Sequence, residues 1–197
     1  MGTTGVILCG GQSTRMQRDK GMMTRDRSTW AQHMVRLLEP VCDDVVISVN
    51  PRQENYVAAL EGYELVPDNE SLGLAGPLLG VLSVHHHHPA SDLLVLACDL
   101  QNMIPAVPAH LLQMAGSNAG YDAYLFSGPD GSPEPLCALY TCHSLQKIWE
   151  THLQQGLPRC SMKYALQQMN VMMATIPPLW QECFYNFNTA ADAGLLP

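Results

Sequence analysis

No stretch of this chain is apolar for long enough to cross a bilayer. The longest uncharged run, Leu72 to Val84, is broken by Gly73, Gly76, Pro77 and Gly80 and falls short of the roughly 20 residues that a spanning helix needs. Charge is scarce as well, at 14% of 197 residues against 47% hydrophobic, a balance that excludes a disordered chain or a coiled coil and points to a globular fold. Cations are scarcer than anions. Ten Lys and Arg against eighteen Asp and Glu leave a net charge of −8, so the broad basic surface that nucleic acid or an anionic membrane would require is missing. The seven cysteines, Cys9, Cys42, Cys98, Cys137, Cys142, Cys160 and Cys183, are odd in number and include no Cys-x-x-Cys pair. They fit small core residues in a reducing compartment better than a disulfide framework. The N-terminal apolar run lacks a preceding basic segment and ends in glycines and a charged loop, so the expected location is cytoplasmic.

The common catalytic signatures are missing too. Neither Gly-x-x-x-x-Gly-Lys-Ser/Thr nor Gly-x-Gly-x-x-Gly occurs, which removes the P-loop and dinucleotide fingerprints. No Gly-x-Ser-x-Gly elbow or Cys/His pair offers a nucleophile. Four consecutive histidines, His85 to His88, point about 100° apart on a helix and cannot converge on one ion, so they read as a solvated helix end.

What the chain does have is alternation. Gly5 to Cys9 is a buried strand running into Gly10-Gly11, and from Ser28 the residues Trp30, Met34, Leu37, Leu38 and Val41 recur at helical spacing. Strands are expected at 44–50, 63–67 and 92–97, with helices at 54–60 and from about 77 to 88. The pattern loosens after Asp99: a helix near 108–115, strands near 122–126 and 136–141, helices near 143–154 and 161–169, and a last strand at 171–176. Strands that are apolar throughout, alternating with helices, predict a mostly parallel sheet covered on both faces, a Rossmann-like α/β/α sandwich. No linker or repeat divides residues 1–197, which read as one domain with a nucleotide-type half, 1–100, and a more irregular half, 101–197.

Ligands in such sheets bind outside the carboxyl ends of the strands, and three of those ends carry chemistry. Gly10-Gly11 opens a loop containing Arg15 and Lys20, and five of the ten cations lie between positions 15 and 27. That composition suits a small anionic ligand, with glycine amides and cations against phosphate oxygens; a plain glycine turn with solvated charges has the same composition. Asp99, at the end of a very apolar strand, could hold Mg²⁺ beside a phosphate or cap the next helix or turn. Asp68 could accept donors from a base or ribose, or start the turn Asp68-Asn69-Glu70-Ser71.

Leu8-Cys-Gly10-Gly11-Gln-Ser13-Thr-Arg15-Met16-Gln17-Arg-Asp19-Lys20 resembles the signature of the molybdenum cofactor guanylyltransferases, Leu-x-Gly-Gly-x-Ser-x-Arg-Met-Gly-x-Asp-Lys. Asn50-Pro-Arg52-Gln53-Glu54, Pro67-Asp68, Leu74-Ala-Gly76-Pro77-Leu78-Leu-Gly80, Ala97-Cys98-Asp99, Glu134-Pro135-Leu136 and Asn186-Phe-Asn188-Thr189 match in the same order, over nearly the whole chain. The resemblance implies a fold of the nucleotide-diphosphosugar transferase type and transfer of GMP from GTP to the phosphate of molybdopterin, with release of pyrophosphate. It implies Arg15, Lys20 and Asp99 as catalytic residues and Leu8, Cys9, Gly10, Gly11, Lys20, Asn50, Asp68 and Asp99 as GTP contacts. Asp99 would hold Mg²⁺ or Mn²⁺, and Asn186 and Asn188 would face the pterin in the second half. Expected partners are GTP and molybdopterin, with transient contacts to other proteins of cofactor synthesis, for a monomer or weak homo-oligomer. Two positions depart from the pattern: Gln17 replaces a glycine, and Cys98-Asp99-Leu-Gln101 replaces Cys-Asp-x-Pro. The rival readings are a cytidylyltransferase, whose branch has Ala-Gly in place of Gly10-Gly11, and a non-catalytic nucleotide-binding homologue.

Overall fold

A computed structural model describes residues 2–10, 20–25, 27–53 and 55–187. The strands are β1 (Thr3–Leu8), β2 (Thr24–Arg25), β3 (Ser28–Thr29), β4 (Asp44–Val49), β5 (Glu64–Pro67), β6 (Asp92–Ala97), β7 (Ala123–Ser127), β8 (Pro133–Tyr140) and β9 (Val171–Thr175). The helices are α1 (Trp30–Leu38), α2 (Asn55–Ala59), α3 (Pro77–His87), α4 (Ala106–Ser117), α5 (Cys142–Gln155) and α6 (Met162–Gln167). Seven strands form one sheet in the order β5-β4-β1-β6-β8-β7-β9, and β2 and β3 form a small separate hairpin. Within the seven-stranded sheet β8 runs against its neighbours and the other pairings are parallel.

Alternation along each strand splits the core in two. Val6 and Leu8 of β1 pack with Leu78 and Leu82 of α3 on one face, while Ile7 packs with Met34 and Leu38 of α1 on the other. Helix starts follow local chemistry. Thr29 and Gln32 close a reciprocal capping box on α1, Pro77 enters α3 in its first turn, and Thr141 and Ser161 cap α5 and α6 through their hydroxyls. No helix among the described residues is long and apolar enough to cross a membrane.

The histidine run is a solvated helix end only in part: His86 and His87 are exposed, whereas His85 is not. His85 is buried, with Nε2 3.1 Å from Gln146 Oε1, and burial pushes its pKa down. His86 stacks on Trp149 at 4.9 Å and His88 Nε2 lies 2.9 Å from Glu64. The reason is helical periodicity: position 85 is seven residues after Leu78, on the inward stripe of α3.

Candidate active site

Strand register gathers the residues at the carboxyl edge. Leu8 is paired with Ser48 on one side and Ala97 on the other, and Val49 with Pro67. One or two residues further on, Asp68, Asn50, Gly10 and Asp99 therefore fall in one row across β5, β4, β1 and β6. Beside that row lies a cleft of about 220 Å³ whose walls include Leu8, Cys9, Gly10, Lys20, Asp99 and Asn186, with Pro77 and Leu136.

Lys20 and Asp99 meet there. Lys20 Nζ donates to Asp99 Oδ2 at 2.8 Å, both side chains being about four-fifths buried, at 21% and 17% exposure. The turn carrying Asp99 is closed by Leu100 N donating to Ala97 O, and the Asp99 carbonyl accepts from Phe187 N at 3.1 Å. That bond brings Asn186 alongside. The helix that follows, α4, has Pro105 at its start and no side-chain cap, so Asp99 does not cap that helix.

Asp68 is held from within. Ser48 Oγ donates to Asp68 Oδ1 at 3.2 Å, and Asp68 N donates to Val49 O. The short helical turn after it is capped by Asn69, whose Oδ1 accepts from Ser71 N, so the turn-starting role falls to Asn69. Burial pushes the Asp68 carboxyl up to about 6; the Ser48 hydrogen bond opposes that shift and the Glu70 charge adds to it. Two glycines make room for this pair. A Cβ on Gly10 would stand 2.9 Å from Asp68 Oδ2, and one on Gly80 would stand 2.6 Å from Ser48 Oγ.

Of the expected phosphate cradle, the Gly10 amide is already hydrogen-bonded within the protein. Cys9 N and Gly10 N both donate to Ser48 O, at 3.0 and 3.1 Å, because pairing with β4 continues past the end of β1. The Gly10 amide is thus engaged in the sheet. Neither Asp68 nor Asn50 is among the residues that line the cleft; Asp68 lies behind Gly10, and Asn50 Oδ1 accepts from Arg52 N while its N–H donates to Gln53 Oε1. Gln53 Nε2 in turn donates to Cys9 O at 3.3 Å, tying the β1 and β4 ends together. Gly11, Arg15 and Asn188 lie outside the described residues.

Ser48 is the residue that sequence reasoning passed over, and Gln53, though part of a matched motif, was given no role. Ser48 had a signal, as the one hydroxyl in the otherwise apolar core of β4. Among the described residues no group of three or more His, Cys, Asp or Glu side chains could enclose a metal ion.

A family model for the MobA-like NTP transferase domain matches residues 5–169. The chain belongs to that family. The MobA-like NTP transferases are nucleotidyltransferases, and the chain is an enzyme of that class. It is 37% identical over 147 residues to the molybdenum cofactor guanylyltransferase of Pseudomonas paraeruginosa, covering 73% of this chain and 70% of that one. It is 29% identical over 185 residues to the protein of the same name from a Shewanella species, covering 93% and 89%. The crystal structure of molybdopterin-guanine dinucleotide biosynthesis protein A from Archaeoglobus fulgidus superposes with a TM-score of 0.77 at 21% identity, covering 97% of this chain and 95% of that chain. At that identity the likeness establishes the MobA-like fold.

Proposed function

We propose that this enzyme transfers GMP from GTP to the terminal phosphate of molybdopterin, releasing pyrophosphate. The observation that carries the base assignment is the Asp68 carboxylate, fixed by Ser48 and filling the space beside Gly10. A buried carboxylate of set orientation accepts the two neighbouring N–H groups that a guanine edge presents and a cytosine edge lacks. The cytidylyltransferase branch carries alanine at position 10, and the Cβ of that residue would meet Asp68 Oδ2 in this chain. The names of the relatives agree with a guanylyltransferase.

The chemistry asks little of side-chain bases. A phosphate monoester is already a nucleophile, so the protein must align it with the α-phosphate of GTP and offset charge. Lys20, at the cleft wall, turns from Asp99 to the triphosphate and stabilises the negative charge that builds up on the departing pyrophosphate. Arg15 adds to that field. Leu8 and Cys9 wall the nucleoside side, Asn50 stands next to Asp68 at the strand ends, and Asn186 and Asn188 take the acceptor side.

Asp99 is the residue suited to a cation. It is a single hard oxygen donor at the cleft, with no ring of further acidic or thiol ligands among the described residues. That donor set fits Mg²⁺, which keeps waters and binds through one or two carboxylates plus phosphate oxygens; Mn²⁺ accepts the same ligands. When bound, the ion would supply Lewis-acid polarisation of the α-phosphate.

Incubation with molybdopterin, Mg²⁺ and each nucleoside triphosphate in turn tests the proposal through pyrophosphate release and dinucleotide product. Product with GTP alone is expected. Equal product with CTP overturns the guanine assignment, and none with any nucleotide overturns the proposed reaction.

A further inference from the structure

The family pattern places proline two residues after the cleft aspartate, and this chain has Gln101 there. Gln101 is buried, with 3% of its surface exposed, and its Nε2 donates to Cys98 O at 2.7 Å. Cys98 O belongs to the peptide group that joins Cys98 to Asp99, so this bond fixes the plane from which the Asp99 side chain departs. The neighbouring links complete the clamp: Leu100 N to Ala97 O at 3.3 Å, Met103 N to Leu100 O at 3.0 Å, and Phe187 N to Asp99 O at 3.1 Å.

The other end of the amide has no such partner. Gln101 Oε1 is buried and accepts no hydrogen bond among the described residues. A buried acceptor without a donor is unfavourable, and a residue needed only to fill space would be apolar. The donor end is what this position uses.

We propose that Gln101 is a positioning residue for Asp99. Its side-chain hydrogen bond to the Cys98 carbonyl replaces the rigidity that a proline ring provides at this position in the family pattern. Proline stiffens the turn through a fixed φ; glutamine stiffens it through a tether. Among the described residues the Gln101 N–H has no acceptor, so exchanging one device for the other removes no backbone bond. The proposal rests on the reading of Asp99 as the carboxylate that takes the cation.

Two measurements on the purified protein without nucleotide test it. The first is amide hydrogen exchange in the metal-free protein, read at Leu100. The second is the affinity for Mn²⁺ alone, read by electron paramagnetic resonance. Gln101→Ala and Gln101→Glu both delete the donor. Each should speed exchange at Leu100 about tenfold, while the amides of β1 and β6 exchange as before, and should weaken Mn²⁺ binding about tenfold or more. Gln101→Pro should bind Mn²⁺ within about twofold of the parent, as a rescue by the residue of the family pattern. Parental exchange and parental affinity in Gln101→Ala overturn the proposal. So does faster exchange spread evenly over β1 and β6, which marks a space-filling residue, and so does a Gln101→Pro variant that binds as poorly as Gln101→Ala. A parent that binds no Mn²⁺ overturns the metal reading of Asp99 instead, while exchange at Leu100 still decides whether Gln101 holds the turn.

Discussion

Gly10 contributes to the site by what it lacks. Its amide is committed to Ser48 O, and its missing side chain leaves room for Asp68. Gly10→Ala should push the carboxylate off Ser48 and raise the KM for GTP more than that for CTP, with an overpacking cost of about 1–3 kcal/mol in thermal denaturation. A GTP KM that stays at the parental value would leave Asp68 without a role in base choice. Lys20→Ala removes the cleft ammonium. It should lower kcat/KM at least tenfold, equivalent to about 1.4 kcal/mol of transition-state stabilisation, with the melting temperature kept near the parent's because the group is still partly exposed. Asp68 and Asp99 were legible as residues because each ends an apolar strand. The use made of Gly10 was not, since its amide direction is set by how far β4 follows β1.

At the scale of elements, α1 reaches further than its length suggests. Trp30, its first residue, donates its N–H to Met23 O at 2.8 Å and meets Phe187 edge-on at 6.1 Å. It thereby joins the turn that bears Lys20 (Lys20–Met22) to the segment hydrogen-bonded to Asp99. Thr29 sets the start of this helix. Thr29→Ala should cost about 1 kcal/mol in chemical denaturation and should weaken nucleotide binding by loosening Lys20. The period of α1 was visible in its apolar residues, whereas β2 and β3, two residues each, are too short to show one. The reversed strand β8 had a readable cause: five residues, 128–132, connect it to β7, and only an antiparallel neighbour can be reached by so short a loop.

Over the whole molecule, the buried Asp68 couples folding to pH. With its carboxyl pushed up to about 6 from an ordinary 3.8, the folded protein holds a proton that the unfolded chain has released between those values. The contribution of this group to stability should therefore be fully present below about pH 4, fall as pH rises through about 6, and be lost above it. Asp68→Asn should flatten that part of the profile in denaturant titrations. An unchanged slope would mean that the carboxyl is not perturbed. The ionised form needed to accept from a guanine edge is filled only above about pH 6, so GTP affinity should climb through the same range in which stability declines.

The contact between Lys20 and Asp99, 2.8 Å long, makes nucleotide and cation interdependent. A cation arriving alone must draw the carboxylate away from the ammonium. A triphosphate arriving alone takes the ammonium and strands a carboxylate beside its own negative charge. Arriving together, they exchange partners with charge balanced at every position. Their binding should be positively coupled by about tenfold, and linkage requires that calorimetry find the same factor whichever ligand is added first. The resting ion pair would then act as a coincidence latch, opened at least cost by the nucleotide and the ion together.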